Sequence, residues 1–232
     1  MGLKGSAFLA IWHDIAEGAH DEYVEWHTRE HMPERLSIPG FLTGKRLHTP
    51  GAGRYVFGTI YSGETVEVFR SPAYLERLNN PTPWTSRVAP TFRNFLRVAC
   101  DRVAVAGRGD GGTMATIRFN FTRQDAEATL RNKAQQLADD ILALRGACAV
   151  HLGIARTEVS GVRTRETELR SQMSEQGFDA VLLIEGASRA GLEAVTEEAN
   201  RLALATGALT APAGMIYETA FTLTAQDMRA AT

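Results

Sequence analysis

The sequence contains few cysteines, no long apolar run and almost no excess of charge of either sign. Its 232 residues include only two cysteines, Cys100 and Cys148, which form neither a disulfide framework nor a zinc-binding pattern. No apolar run approaches the ~18 residues of a membrane span, and the first residues show no cleavage-site pattern. With 25 Lys and Arg against 27 Asp and Glu, the formal charge is −2, which gives no basic surface for nucleic acid or an anionic membrane. We therefore expect a cytoplasmic protein with no nucleic-acid partner and no membrane partner.

The residues that are present are typical of a folded chain that divides into two similar halves. Hydrophobic residues make up 44% of the chain and charged residues 22%, which is ordinary for a protein with a packed core. Residues 107–112 read GRGDGG, and four glycines in six residues are typical of a flexible connector. We therefore expect a first domain over residues 1–107, a Gly-rich linker over 108–112 and a second domain over 113–232.

The pattern of apolar runs and turn residues repeats in the two halves. In each half a strand, a helix, two strands, a helix and a final strand follow one another, which is the ferredoxin-like β-α-β-β-α-β unit. The first half is predicted to have helices over residues 19–36 and 64–78, with Pro33 kinking or closing the first of them. In the second half, the polar stretch 156–176 is predicted to be a long, partly mobile excursion between two strands.

Two such units each have a second sheet face to cover. An antiparallel sheet with helices on one side buries only that face, and the other face needs a partner. We therefore predict an α+β fold in which two ferredoxin-like repeats pack their antiparallel sheets face to face within one chain.

One segment of the first half resembles a known family. Residues 23–35 read YVEWHTREHMPER and are followed by the turn Pro39-Gly40 and then Phe41. This segment is similar to the first helix of the dimeric α+β barrel proteins. It is most similar to the EthD-like and methylmuconolactone-isomerase-like branch, in which an aromatic-rich helix ends in His-x-Pro. That family usually carries one repeat per chain, so this sequence resembles a fused two-repeat version. The superfamily includes isomerases, polyketide cyclases, monooxygenases and haem enzymes, so the resemblance implies the fold more than the reaction.

The inward face of the first helix carries polar residues where a core helix would carry leucine or isoleucine. At 100° per residue, His27 and His31 fall on one face with Tyr23, and Glu30 and Trp26 border it. The corresponding stripe of the second half has no histidine and consists of Ala126, Leu130, Leu137, Ile141 and Leu144. We therefore expect the functional site in the first half, with the second half as its packing partner.

These polar residues are suited to proton transfer. Histidine gives and takes protons at little cost near neutral pH, because its ordinary pKa lies there. The resemblance implies that the histidine of His-x-Pro, here His31, is the proton-transfer residue. We take His31, His27 and Glu30 as the candidate catalytic residues, with Glu30 or Glu34 orienting a histidine. The candidate substrate-binding residues are Tyr23, Trp26, Arg46, His48, Tyr55 and Trp84.

The same helix contains a spacing found in metal sites. Residues 27–31 fit the pattern His-x-x-Glu-His, in which two histidines one turn apart can hold zinc. Such a site needs a third ligand on another element, for which His48 is the best candidate, and Pro33 interrupts the helix directly after the motif. We therefore expect no metal site and no organic cofactor.

Three functions are compatible with these residues. The leading hypothesis is a small-molecule enzyme that uses histidine acid–base chemistry in an apolar pocket. It would be an isomerase, cyclase or lyase acting on a cyclic or aromatic-derived metabolite. One alternative is a haem-dependent or oxygen-using enzyme of the same fold, with His27 or His31 as the ligand of a haem. The other is a protein that binds a small ligand without turnover. In each case the partner is a small molecule, and a homodimer is the assembly considered.

Overall fold

The chain folds into strands and helices in the predicted order. A computed structural model describes residues 2–170 and 177–230. The first half contains β1 (Ala7–Ile15), α1 (His20–Trp26), α2 (Met32–Leu36), β2 (Phe41–His48), β3 (Phe57–Gly63), α3 (Pro72–Asn79), α4 (Pro83–Val88) and β4 (Phe92–Gly107). The second half contains β5 (Thr113–Phe121), α5 (Ala126–Leu142), β6 (Ala147–Ala155), α6 (Thr157–Ser160), α7 (Arg165–Glu168), β7 (Ala180–Gly186), α8 (Arg189–Ala205), β8 (Leu209–Thr224) and α9 (Ala225–Ala230). None of the helices in these ranges combines the length and the apolar character that crossing a lipid bilayer requires.

The strands of the described residues form one closed antiparallel barrel. Their order around it is β1-β3-β2-β8-β5-β7-β6-β4. The two halves join along two seams, where β2 pairs with β8 and β4 pairs with β6. The barrel therefore leaves none of these strands at an open edge, where unpaired backbone groups invite aggregation. The predicted α+β fold, with two antiparallel sheets facing each other within one chain, is confirmed.

The interior of the barrel is filled by apolar side chains from both halves. Successive residues of a strand point to opposite faces, so Phe8 and Trp12 of β1 point inward, where they are 0% and 1% exposed. They belong to one buried cluster with Met114 of β5 and Tyr217 of β8. Because each half covers apolar surface of the other, the hydrophobic effect holds the two halves together.

Helices cover the outer faces of the sheets. In the second half α5 packs on β4 and β6, and α8 packs on β5 and β8. The predicted apolar stripe of α5 faces the sheet, with Leu130, Leu137 and Ile141 at most 4% exposed. This arrangement leaves no histidine between α5 and its sheet.

Leu137→Ala should lower the free energy of unfolding by about 2–5 kcal/mol, because it leaves a cavity in this packed layer. Ile141→Ala should cost a similar amount for the same reason. Urea denaturation followed by circular dichroism measures both losses. Leu204→Ala on α8 is the control, since that side chain is 41% exposed, and it should change stability by about 0.5 kcal/mol or less. Equal losses for Leu137→Ala and Leu204→Ala would contradict the assigned packing.

Two predicted helices differ from the structure at proline residues. The helix predicted over residues 64–78 is divided into a 3-10 helix, Val66–Arg70, and α3. Pro72 begins α3 because proline lacks the N–H that the first turn leaves unused, and Ser71 caps the helix by accepting from the N–H of Tyr74. The helix predicted over residues 19–36 does not close at Pro33. It runs to Leu36 through a π-helical turn at His27–His31.

The polar stretch 156–176, predicted to be an excursion, contains short helices that pack on the first half. Thr164 and Thr167 cap α7 through reciprocal side-chain and backbone hydrogen bonds. Glu166, on α7, is only 1% exposed. Residues 171–176 of this stretch lie outside the described residues. The described part of the stretch is therefore a packed element, and it supplies side chains to the site described next.

Candidate functional site

A π-helical turn in the first helix brings aromatic rings together. The backbone N–H of Met32 donates to the carbonyl of His27, five residues earlier, so side chains five apart come to the same side of the helix. The ring centroids of Trp26 and His31 consequently lie 4.2 Å apart, and those of His27 and His31 lie 5.7 Å apart. Turns of this kind inside α-helices are frequent at functional sites, and this one holds both candidate catalytic histidines.

An enclosed cavity lies between this helix and the outer face of the first-half strands. Trp26, His27 and His31 line it from the helix, and His13 of β1 and Tyr61 of β3 line it from the sheet. The space between the lining side chains is about 480 Å³ including the mouth, of which about 30 Å³ is open to the centres of water molecules. That is room for about two waters. The cavity is therefore small and closed in this state.

His27 is held between a cation and a phenol. The guanidinium of Arg46 lies 3.5 Å from Nδ1, and the hydroxyl of Tyr61 lies 3.4 Å from Nε2. A guanidinium can only donate, so Nδ1 is the acceptor and the neutral ring carries its proton on Nε2, directed at Tyr61. Arg46 is anchored in turn by a 2.7 Å bond to the hydroxyl of Thr28. Arg46 therefore orients His27 from behind the cavity wall.

Two other histidines of the cavity each have a ring nitrogen without a hydrogen-bond partner among the described residues. Nδ1 of His31 and Nδ1 of His13 are both buried and unpaired. The other ring nitrogen of His13, Nε2, lies 3.1 Å from the hydroxyl of Tyr23. Buried polar atoms without partners are rare in proteins and call for a specific reason, such as a bound water or a catalytic role. Their presence in one cavity marks it as a site for a polar ligand.

Burial keeps the histidines of the cavity neutral at neutral pH. Burial lowers the pKa of His27 well below the ordinary value. The positive charge of a protonated His31 and the charges of nearby guanidinium groups lower that pKa further. The pKa of His31 is lowered well below its ordinary value by burial and then by the guanidinium groups of Arg35 and Arg170. Burial likewise lowers the pKa of His13 to about 3. Neutral imidazoles can accept protons, so the cavity presents proton acceptors to a ligand.

A buried ion network closes the cavity on the side of the second half. Arg35 donates to Glu34 at 2.7 Å and to Glu166 at 2.5 Å, and Arg170 donates to the other oxygen of Glu166. Burial by itself would raise the pKa of Glu166, but the two guanidinium groups outweigh it and hold that pKa below its ordinary value. The carboxylate is therefore ionised and is shared by two cations. The second half thus packs on the first and also supplies Glu166 and Arg170 to the wall of the cavity.

The structure brings together five of the nine candidate residues. His27, His31 and Trp26 line the cavity. Tyr23 and Arg46 lie behind that lining and contact its histidines. These five residues form one cluster because four of them lie on the first helix and the fifth lies on the strand beneath it.

The other four candidates do not reach the cavity. Glu30 is turned to α4, where it accepts hydrogen bonds from the hydroxyls of Thr82 and Thr85 at 2.6 and 3.3 Å, so it orients neither histidine. Trp84, on α4, packs beside the aromatic cluster without lining the cavity.

His48, at the end of β2, and Tyr55, in the connection between β2 and β3, are placed elsewhere. The ring of His48 stacks on Phe57, with 4.7 Å between the centroids. Tyr55 belongs to the buried cluster inside the barrel, on the opposite face of the sheet from the cavity. Neither residue is within reach of a ligand beside His31.

No metal or haem site is formed by the residues around the cavity. No group of three or more His, Cys, Asp or Glu side chains within residues 2–170 and 177–230 is placed to hold a metal ion. As packed, the cavity admits neither a porphyrin nor a ring-sized substrate unless its lining side chains move. Both nitrogens of His27 already face polar groups. As they are packed, these residues do not fit haem.

Comparison with solved structures gives matches over almost the whole chain. An anthrone oxidase-like protein matches with a TM-score of 0.64 and 11% identity, covering 97% of this chain and 96% of that one. The chain therefore shares the fold of that protein, an α+β barrel closed within one chain. A Fusobacterium nucleatum protein provisionally assigned as a monooxygenase matches with a TM-score of 0.58 and 9% identity over 95% of both chains. A protein provisionally assigned as a chlorite dismutase matches with a TM-score of 0.56 and 12% identity, over 98% of this chain and 99% of that one.

At these identities the likeness is one of fold. A scan against protein-family models and a search of curated proteins found no match. Function therefore has to be argued from the cavity.

Proposed function

We propose that this chain is an oxidase or monooxygenase of small aromatic molecules that works without haem. His31 removes a proton from the substrate, and molecular oxygen then reacts with the resulting anion. The observation that carries the proposal is the pair of buried, neutral histidines in a cavity walled by guanidinium groups.

The low pKa of His31 restricts the substrates on which it can act. A base with a lowered pKa takes protons efficiently only from acidic groups, because proton transfer depends on the match between the two pKa values. A phenolic O–H, or the CH₂ group of an anthrone, meets this requirement, since the anthrone anion places its charge on the ring carbonyl oxygen as a phenolate-like enolate. His27, whose Nδ1 faces Arg46, is not free on that nitrogen and instead holds the hydroxyl of Tyr61 in place.

The charges around the cavity favour an anionic intermediate. Arg35, Arg97 and Arg170 line it, against the single carboxylate of Glu166 in that lining. Preorganised positive groups in a water-poor site stabilise negative charge that develops during a reaction. The guanidinium groups therefore stabilise the substrate anion that His31 generates.

The reaction balances with oxygen as the sole oxidant. For the CH₂ group of an anthrone, His31 takes one proton and the resulting enolate anion transfers electrons to O₂ from its ring carbon. One oxygen atom becomes the new carbonyl oxygen, and the other leaves as water with both hydrogens of the CH₂ group. His31 returns its proton in that water, so the protein ends as it began.

The descriptions of the full-length neighbours support this proposal over the leading sequence-based hypothesis. They are an anthrone oxidase-like protein and proteins provisionally assigned as a monooxygenase and a chlorite dismutase. These descriptions favour the oxygen-using alternative over an isomerase, cyclase or lyase. Of the two forms of that alternative, we propose the one without haem, because both nitrogens of His27 already face polar groups.

A substrate has to displace side chains to enter. Thr167 and Arg170 line both the cavity and a groove on the outer surface. These two residues therefore lie between the cavity and that groove, and we propose that movement of their side chains admits a ring-sized molecule.

Three finer expectations from the sequence remain proposals. Residues 23–35 support membership of the EthD-like and methylmuconolactone-isomerase-like branch. The matching strand order supports a fused two-repeat chain divided at 1–107, 108–112 and 113–232. A homodimer is tested by light scattering of the purified chain.

The purified chain should consume one molecule of O₂ for each molecule of anthrone converted to anthraquinone. An oxygen electrode and the absorption of the product measure both quantities, with simple phenols as a second group of substrates. Prior dialysis against a chelator should leave the rate unchanged. Lack of uptake with every substrate, or uptake that appears only after haem is added, would overturn the proposed function.

A further inference from the structure

A second pocket lies at one end of the barrel and shares no lining residue, among those described, with the histidine cavity. It measures about 620 Å³ including its open mouth. Its walls combine the apolar residues Phe119, Phe178, Ala211 and Ala213 with Tyr55 and the polar residues Arg54, Arg118 and Asn120. Pockets of this size with an apolar wall and a few polar groups are typical of small-molecule sites.

Arg118 is fixed in this pocket by two aromatic rings. Its guanidinium carbon lies 4.7 Å from the ring centre of Tyr55 and 5.2 Å from that of Trp12. Among the described residues Arg118 has no carboxylate partner and no hydrogen-bond acceptor. A guanidinium that stacks on rings keeps its N–H donors in its own plane, where they can pair with two oxygens at once. Arg118 therefore presents donors that no described group of the protein uses.

Strained backbone on the rim of the same pocket is an independent observation. Tyr55 and Ala211 have φ angles of 56° and 53°, in the left-handed region that residues other than glycine rarely adopt. The register between β5 and β8 also shifts beside Arg118, which places Ala211 in an irregular part of β8. Strained residues and strand irregularities cluster at binding sites, where they shape the opening.

We propose that this pocket binds the carboxylate of a small, partly apolar molecule. Arg118 pairs with both carboxylate oxygens through parallel N–H donors, the geometry in which guanidinium and carboxylate match best. The apolar wall contacts the rest of the molecule, and the exposed amide of Asn120 adds a donor at the rim. The site uses neither the histidines nor oxygen. Its test is therefore independent of the test of the proposed function.

Benzoate is the probe that tests this site, by isothermal titration of the full chain. Wild type should bind it at one saturable site, and Arg118→Gln should weaken binding by at least about tenfold. Arg118→Lys, which keeps the charge but loses the paired donors, should give an intermediate affinity. Arg145→Gln is the matched control and should bind like wild type. Arg145 is exposed and lies just before β6, beside Gly186 at one end of β7. Arg118 pairs with Val181, toward the other end of β7, so Arg145 is distant from the pocket.

Other outcomes of the same titration decide the identity of the ligand and the site. Benzamide, which lacks the negative charge, should bind at least about tenfold more weakly than benzoate. Equal binding of benzamide, tighter binding of inorganic phosphate, or an unchanged affinity in Arg118→Gln would overturn the proposal. Loss of benzoate binding in His27→Ala would also overturn it, because benzoate would then occupy the histidine cavity. If Arg118→Gln does not fold, Asn120→Asp replaces it, since a negative charge at the exposed rim should weaken benzoate binding and leave the fold intact.

Discussion

Replacing Glu166 with glutamine should lower the free energy of unfolding by about 3–5 kcal/mol, the usual cost of removing one partner from a buried ion pair. The side chains of Arg35 and Glu166 are both 2% exposed, and that of Arg170 is 7% exposed. The variant leaves the two guanidinium groups buried without the anion that they share. Urea denaturation at neutral pH measures the loss. Oxygen uptake should fall as well, since Arg35 and Arg170 would no longer be held at the wall of the cavity.

Glu25→Gln is the matched control for this prediction. Glu25 pairs with Arg29 at 2.5 Å, but the two side chains are 56% and 71% exposed, so water already screens the pair. Its loss should cost about 1 kcal/mol or less. If Glu166→Gln were no more destabilising than Glu25→Gln, the buried network would not hold the second half against the cavity.

The Glu166 network also predicts how stability depends on pH. Because the folded-state pKa of Glu166 is lowered, its stabilising contribution is present above the ordinary glutamate pKa of about 4.3. That contribution is lost as the pH falls through the lowered folded-state value. Glu166→Gln should remove this part of the acid sensitivity, which denaturation at several acidic pH values measures.

His31→Asn should lower the rate of oxygen uptake by about 10²–10⁴-fold, the usual contribution of a positioned proton acceptor. Asparagine keeps a planar polar side chain beside Trp26 but cannot accept the proton. His20→Asn is the control, because His20 is an exposed histidine of the same helix, and it should retain the wild-type rate. Equal rates for the two variants, measured with an oxygen electrode, would remove His31 from the reaction.

The lowered pKa values of the histidines set a second dependence on pH. His27 and His31 are neutral when folded, and their folded-state pKa values lie below the ordinary value of about 6.5. The contribution of these two histidines to the free energy of unfolding is therefore fully present above about pH 6.5. It is lost as the pH falls below that value, because the unfolded chain then binds protons first. For the same reason, oxygen uptake by folded wild type should stay level down to about pH 6.

The fold was predictable because its determinants are local. Alternating apolar residues marked the strands, and the apolar stripe of α5 marked the side that packs on its sheet. The segment 23–35 located the histidine pair in the same way, since helical spacing alone placed His27 and His31 on one face. These features need no knowledge of contacts between distant residues.

The parts of the site that the sequence did not predict depend on contacts between distant residues or on local irregularity. Glu166 reaches Arg35 across a separation of 131 residues, and nothing in the polar stretch 156–176 signals that contact. The π-helical turn rotates Glu30 toward α4 and away from the histidines, which a regular helix does not predict. The position of His13 follows from the sequence of β1. His13 lies two residues after Ile11 and therefore shares the outward face of that strand with residues that meet the first helix.

The claim that His31 removes a proton before oxygen reacts is tested most directly by absorption spectra recorded without oxygen. Under nitrogen, anthrone mixed with wild-type chain should show the absorption band of its anion, and the band should be absent with His31→Asn. Admitting oxygen should then convert the band to that of anthraquinone in wild type only. Anthraquinone formed under nitrogen, or an equal anion band with His31→Asn, would contradict the account.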